Sequence, residues 1–200
     1  MTDSVDFTKP PLQSHSGAPA SSWVKRWSHL VKPGGSVLDV ACGHGRHSYW
    51  FHQRGHPVVA VDRAQDAIDG IAIAASACKK VVADIENDPW PFAGQQFDAV
   101  VVTNYLWRPL LPALLSSLAP GGVLIYETFA VGNETVGKPS NPDFLLRPKE
   151  LLEICQNLGI VSFEDGFFPP TGKASARFVQ RIAAVHMPAT TPEPMRYLLA

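Results

Sequence analysis

Charged residues are scarce in this chain of 200: they make up 18% of it, and 17 Lys and Arg against 18 Asp and Glu leave a formal net charge of −1. Nucleic-acid binding through bulk positive charge is excluded on that arithmetic. Long apolar runs are missing too. Stretches such as 71–75 fall far short of the roughly 20 residues a membrane helix needs, so no membrane partner is expected. Cys42, Cys78 and Cys155 stand far apart without a CxxC pair, which excludes a disulfide framework or a zinc ribbon. Residues 1–20 carry Asp3, Asp6, Lys9 and three prolines in place of the apolar segment of a secretory signal, and a cytoplasmic protein is expected. No internal repeat marks a solenoid or propeller.

Hydrophobic residues, by contrast, are 46% of the chain, enough to offset chain entropy with a packed core. Of the 18 prolines, 13 cluster in 10–19, 89–91, 139–148, 169–170 and 188–194, where they punctuate the periodic segments. The clusters suggest an N-terminal arm over 1–18, a folded unit over 19–187 and a frayed tail over 188–200. Trp23, Val24, Trp27, Leu30 and Val31 recur at helical steps within 20–31. Strand-like runs then alternate with helical patterns: strand 36–41, helix 46–54, strand 57–62, helix 65–78, strand 80–84, strand 97–104, helix 110–118, strand 123–129. Runs such as Val58-Val59-Ala60-Val61 are apolar on both faces, the mark of a parallel strand covered by helices on each side. An α/β fold with a doubly wound, mostly parallel sheet is expected.

After Phe129 a glycine- and proline-rich loop over 130–147 reads as a lid or a mobile connection. A helix over 148–158 follows, with Pro148 at its first turn and Gly159 just past its end. The last two runs, 160–168 and 176–186, are joined by a link too short for a helical crossover, which predicts an antiparallel hairpin.

The most informative segment is Val37-Leu38-Asp39-Val40-Ala41-Cys42-Gly43-His44-Gly45-Arg46. A buried strand runs into two glycines and a helix begins at once, a turn that brings backbone close to a ligand. Seventeen residues after Gly45 a second strand ends in Asp62, which in a doubly wound sheet lies beside the first turn, within reach of a ribose diol. A dinucleotide fingerprint would put a third glycine where Ser48 stands, and Asp39 is foreign to it.

This segment resembles motif I of the class I S-adenosylmethionine-dependent methyltransferases. More narrowly, it looks like the small bacterial type similar to tellurite-resistance and thiopurine methyltransferase relatives. The resemblance implies a Rossmann-like, seven-stranded sheet with a C-terminal antiparallel hairpin and S-adenosylmethionine as the cofactor. It assigns the methionine part to Asp39, Ala41, Cys42, Gly43 and Gly45, the ribose to Asp62 beside Arg63, and the adenine to Asp84 with the Ile85 backbone. Asn104 closes the fourth strand, where acceptor meets the methyl group, and it counts as both a cofactor and a substrate contact.

Two further residues are substrate-pocket candidates: His47, as a polar contact or base at the first helical turn, and Trp107, which packing alone would also explain. No dedicated catalytic residue is assigned. Four histidines between His44 and His56 lack the convergence of a metal site, and none is expected. The absence of an Asn/Asp-Pro-Pro-aromatic run after the fourth strand, with the near-neutral charge, favours a small-molecule acceptor over nucleic acid. An NAD(P)-dependent oxidoreductase and a non-catalytic S-adenosylmethionine-binding protein stay open as alternatives.

Overall fold

The computed structural model describes residues 18–172, 175–188 and 196–199. The expected arm, apart from Ala18, lies outside the described residues. Seven strands form one sheet in the order β3-β2-β1-β4-β5-β7-β6. They are β1 (Val37–Val40), β2 (Val58–Asp62), β3 (Cys78–Val82), β4 (Phe97–Thr103), β5 (Leu118–Phe129), β6 (Gly159–Phe168) and β7 (Arg177–Val185). The first five pair in parallel, whereas β7 runs antiparallel to both β5 and β6. The expected sheet and terminal hairpin are both present.

Side-chain alternation explains why the central strands look apolar on both faces. Ala99, Val101, Val123 and Ile125 point into a core with Trp23, Trp27 and Phe51. Val100, Val102, Leu124 and Tyr126 point into the opposite core with Phe92, Leu114 and Leu151. Trp23 and Trp27 lie on helix α1 (Ser22–Trp27), almost fully buried and in edge contact at 5.6 Å. Truncating either to alanine should cost about 3–5 kcal/mol by loss of packing.

The remaining helices are short: α2 (Arg46–His52), α3 (Gln65–Asp69), α4 (Leu111–Ser116) and α5 (Glu150–Ile154). The expected helix over 65–78 stops at Asp69, where Gly70 ends the turn. Ile71 and Ile73, which suggested its continuation, instead plug the core from an irregular segment. β5 starts earlier than expected and absorbs Pro120-Gly121 through a register shift opposite Phe97 and Ala99. The tail is not simply frayed: Tyr197 packs on the first core and the Leu198 carbonyl meets His29 Nε2 at 3.0 Å. Among the described residues, no helix is long and apolar enough to cross a membrane.

Candidate functional site

The parallel strands end on one edge of the sheet, and the loops after β1, β2, β3 and β4 enclose adjoining cavities there. One, of about 170 Å³, is lined by Asp62, Arg63, Asp84 and Ile85 together with Ala41 and Tyr105. A second, of about 250 Å³, is lined by Ala41, Cys42, Gly43, Arg46 and Asn104 together with Thr103. Ala41 belongs to both, so the two form one cleft.

The glycine turn divides its work between its two glycines. Gly43 has φ +53° and a side chain there would meet nothing within 4 Å, so its bare face opens toward the cleft. Its N–H donates to Asp62 Oδ2 at 2.8 Å, which ties the first turn to the end of β2. Gly45 has φ +73°, and a Cβ there would lie 2.9 Å from Ile71. The bareness of Gly45 thus lets α2 start against Ile71.

Asp62 also accepts the Ala64 N–H through Oδ1 at 3.0 Å. Each carboxylate oxygen keeps a second lone pair for a hydroxyl donor. Asp84 is held by the Glu86 N–H at 3.1 Å and the Asn87 amide at 2.8 Å. The Asn87 hydrogen bond, first among these contacts, holds its carboxyl below the ordinary range. Arg63 is exposed at the rim and Ile85 is buried beneath it.

Two sequence candidates are placed away from the cleft. Asp39 is 1% exposed and turns inward, accepting from Ser48 Oγ at 2.7 Å. Burial raises its pKa to about 6, against the opposing pull of the Ser48 hydrogen bonds. Through that bond it holds α2 against β1. Ser48, the residue that breaks the dinucleotide pattern, is its partner.

His47 is likewise closed off, 1% exposed, with Nε2 accepting the Ser21 N–H at 3.2 Å. Burial, with the Arg46 guanidinium beside it, holds its pKa down to about 3. The other ring nitrogen, Nδ1, lies 3.5 Å from Thr103 Oγ1 and 3.9 Å from Asp39. The structure thus places the ring behind Thr103, a residue of the second cavity's wall, and not in the cavity lining itself. Ser21 also donates through Oγ to Glu127 at 2.7 Å, and Arg181 donates to the other Glu127 oxygen at 3.1 Å. This buried network fixes the segment entering α1 beside the cleft. Trp107 is half-buried and packs on the second core.

Arg46 is the site residue that sequence reasoning missed. Its half-buried guanidinium donates to Thr103 Oγ1 at 3.3 Å and lines the cavity in front of Gly43. A fork of five donors with one neutral partner suits a carboxylate. The only sequence signal was its place directly after Gly45.

A third cavity, of about 230 Å³, shares Asn104 with the second and both Glu86 and Tyr105 with the first. Its outer wall is the 130–147 loop, which is tied down and is neither free nor featureless. Asn133, buried, bonds the Pro139 carbonyl at 3.0 Å and the Phe178 N–H at 3.2 Å. Arg108 donates to the Asp143 and Leu145 carbonyls and to both Glu150 carboxylate oxygens. The cleft thus has a bare glycine face, carboxylates at two strand ends and a facing guanidinium. These groups fit the ribose, adenine and amino-acid parts of S-adenosylmethionine.

Comparison with known proteins agrees with this geometry. Residues 37–122 match the family model of a methyltransferase domain. Over 107 residues the chain is 36% identical to a malonyl-[acyl-carrier protein] O-methyltransferase of Serratia marcescens, a match spanning 50% of this chain and 41% of that protein. The chain therefore matches less than half the length of this curated relative. The structure of TehB from Haemophilus influenzae superposes with a TM-score of 0.63 at 18% identity, over 79% of this chain and 59% of that one. A TehB-like SAM-dependent methyltransferase from Corynebacterium glutamicum gives 0.60 at 17%, over 86% and 90%. An S-adenosylmethionine-dependent methyltransferase from Mesorhizobium loti gives 0.63 at 15%, over 86% and 99%. At these identities the structural likeness establishes the fold.

Proposed function

We propose that the chain, which carries a methyltransferase-domain match over 37–122 on a methyltransferase-like fold, is a class I S-adenosylmethionine-dependent methyltransferase that transfers a methyl group to a small-molecule acceptor. S-adenosylmethionine, when bound, supplies a methyl group on a positively charged sulfur. The single observation that carries the reading is the continuous cleft joining Gly43, Asp62 and Asp84 at successive strand ends. In it Asp62 takes the ribose hydroxyls, Asp84 and the Ile85 backbone take the adenine edge, and Arg46 takes the methionine carboxylate. Gly43, Ala41 and Cys42 form the floor. Burial pushes the Cys42 thiol up, so it lies there as a neutral surface.

The protein's contribution is alignment and exclusion of water, since displacement at the methyl carbon needs no nucleophile from the chain. Asn104, neutral at the end of β4, borders both the cofactor cavity and the third one, where it can orient an acceptor without placing charge beside the sulfur. The oxidoreductase alternative is disfavoured because Ser48 fills the third glycine position and is committed to Asp39. Three free, buried cysteines accord with a reducing, cytoplasmic setting.

Calorimetry with S-adenosylmethionine, S-adenosylhomocysteine and NAD tests the reading. Binding of the first two and not of NAD is expected; NAD binding in their place overturns it. Formation of S-adenosylhomocysteine with an acceptor panel separates an enzyme from a protein that only binds.

A further inference from the structure

The third cavity has a chemistry of its own. Tyr105, Phe129, Phe144 and Pro139 give it apolar and aromatic walls, and Asn104 joins it to the cavity in front of Gly43. Among the described residues that line it, Glu86 is the one that carries charge, and it stands at the junction with the first cavity, which it lines together with Arg63. Arg46, the cation nearest the glycine turn, lines the second cavity and not this one. At about 230 Å³ it is smaller than the pockets that enclose drug-sized ligands, which start at about 300 Å³.

The geometry points to a small acceptor with an apolar, ring-sized body and an amine nitrogen as the methyl-accepting atom. This rests on the methyl-transfer reading above and names the class of substrate for the same site. A carboxylate or phosphate entering the cavity would face Glu86 with no cation among the residues that line that cavity to offset its desolvation. An amine, which enters as its ammonium form, pairs with Glu86 while its ring packs against the aromatic walls. It gives one proton to the Glu86 carboxylate and through it to water, which frees the nitrogen lone pair. That lone pair forms the new N–C bond as the S–C bond breaks and its bond pair stays on sulfur, and the methylated nitrogen leaves as an ammonium. The acid-bearing acceptor named for the Serratia marcescens relative would thus be a poor fit here.

The test uses the full chain saturated with S-adenosylhomocysteine, titrated by calorimetry with benzylamine, benzyl mercaptan and phenylacetate, which share a ring and differ in the group it carries. Benzylamine is expected to bind at least about tenfold more tightly than phenylacetate, and E86Q to remove about tenfold of that preference. With S-adenosylmethionine, N-methylbenzylamine should form. Tighter binding of phenylacetate, equal binding of all three, or an E86Q affinity for benzylamine equal to the wild type overturns the proposal. Should E86Q fail to fold, F144A, altered at an exposed ring, serves instead: it should weaken benzylamine binding and leave S-adenosylhomocysteine binding intact, and unchanged benzylamine binding refutes the site. A wild-type chain that does not bind S-adenosylhomocysteine sinks the underlying reading, and this proposal with it.

Discussion

Ala41 and Asn104, just beyond the ends of the neighbouring parallel strands β1 and β4, both hold left-handed backbone conformations, with φ of 50° and 55°. Both line the same cavity. Such a conformation costs a residue with a Cβ about 1–2 kcal/mol, and residues so held cluster where a site must be shaped. Asn tolerates it better than most because its side chain bonds locally. Ala41 has no such relief. A41G is therefore expected to keep or raise the stability of the fold, whereas A41V, β-branched at a positive φ, should lower it by about 2 kcal/mol. Urea denaturation of the two variants checks the order, and a stable A41V contradicts it.

The two turn glycines should separate in their effects. G45A drives a methyl group into Ile71 and is expected to cost about 1–3 kcal/mol of stability. Pairing it with I71V should recover part of that loss. G43A meets no neighbour, so its main expected effect is weaker binding of S-adenosylhomocysteine. Equal stability losses in both variants would contradict this division.

Arg46 and Asp62 are proposed to hold opposite ends of the cofactor, which a truncated ligand can show. Methylthioadenosine keeps the nucleoside and the thioether and lacks the amino-acid carboxylate. R46A should weaken S-adenosylhomocysteine binding by about 1.5–3 kcal/mol and leave methylthioadenosine unchanged. D62A should weaken both. Calorimetry on the four pairs reads this directly, and equal loss of both ligands in R46A would remove the carboxylate assignment.

Asp39 gives a dependence on pH. Its pKa is about 6 in the fold against 3.8 in the unfolded chain, because burial disfavours the charged form. The folded state thus binds the proton more tightly, and stability is lost as pH rises from about 4 to about 6, then levels off. The two-unit rise corresponds to about 3 kcal/mol. D39N cannot ionise and still accepts from Ser48. Relative to the wild type it should gain about that amount between pH 4 and pH 7. A constant difference across that range in urea titrations would show that Asp39 does not titrate as argued.

The sheet was legible in the sequence because its strands are buried on both faces and its turns carry glycines at fixed offsets. Val100 and Val101 point to opposite cores, yet both are apolar, which is what distinguished a covered parallel strand from a half-exposed one. The hairpin followed from the short link after Phe168. Helix length was not legible at α3, since Ile71 and Ile73 are spaced as on a helix but pack from an irregular segment beyond Gly70. Asp62 and Asp84 line the cleft because strand ends fix their place. The burial of His47 and Asp39 was not legible, because their partners decide which way they face. Ser21, 26 residues before His47 in the chain, closes off that ring, and no local pattern announces it.

The position of β7 bears on how the molecule comes to be made. Strand β7 is inserted between β5 and β6, both of which precede it on the chain. Until 177–185 leave the ribosome, β5 presents a bare edge and Glu127 lies in the forming interior without Arg181. The cleft over β1 and β2 can therefore take shape before the layer beneath its entrance is sealed. Closure of the β5 edge thus waits on 177–185.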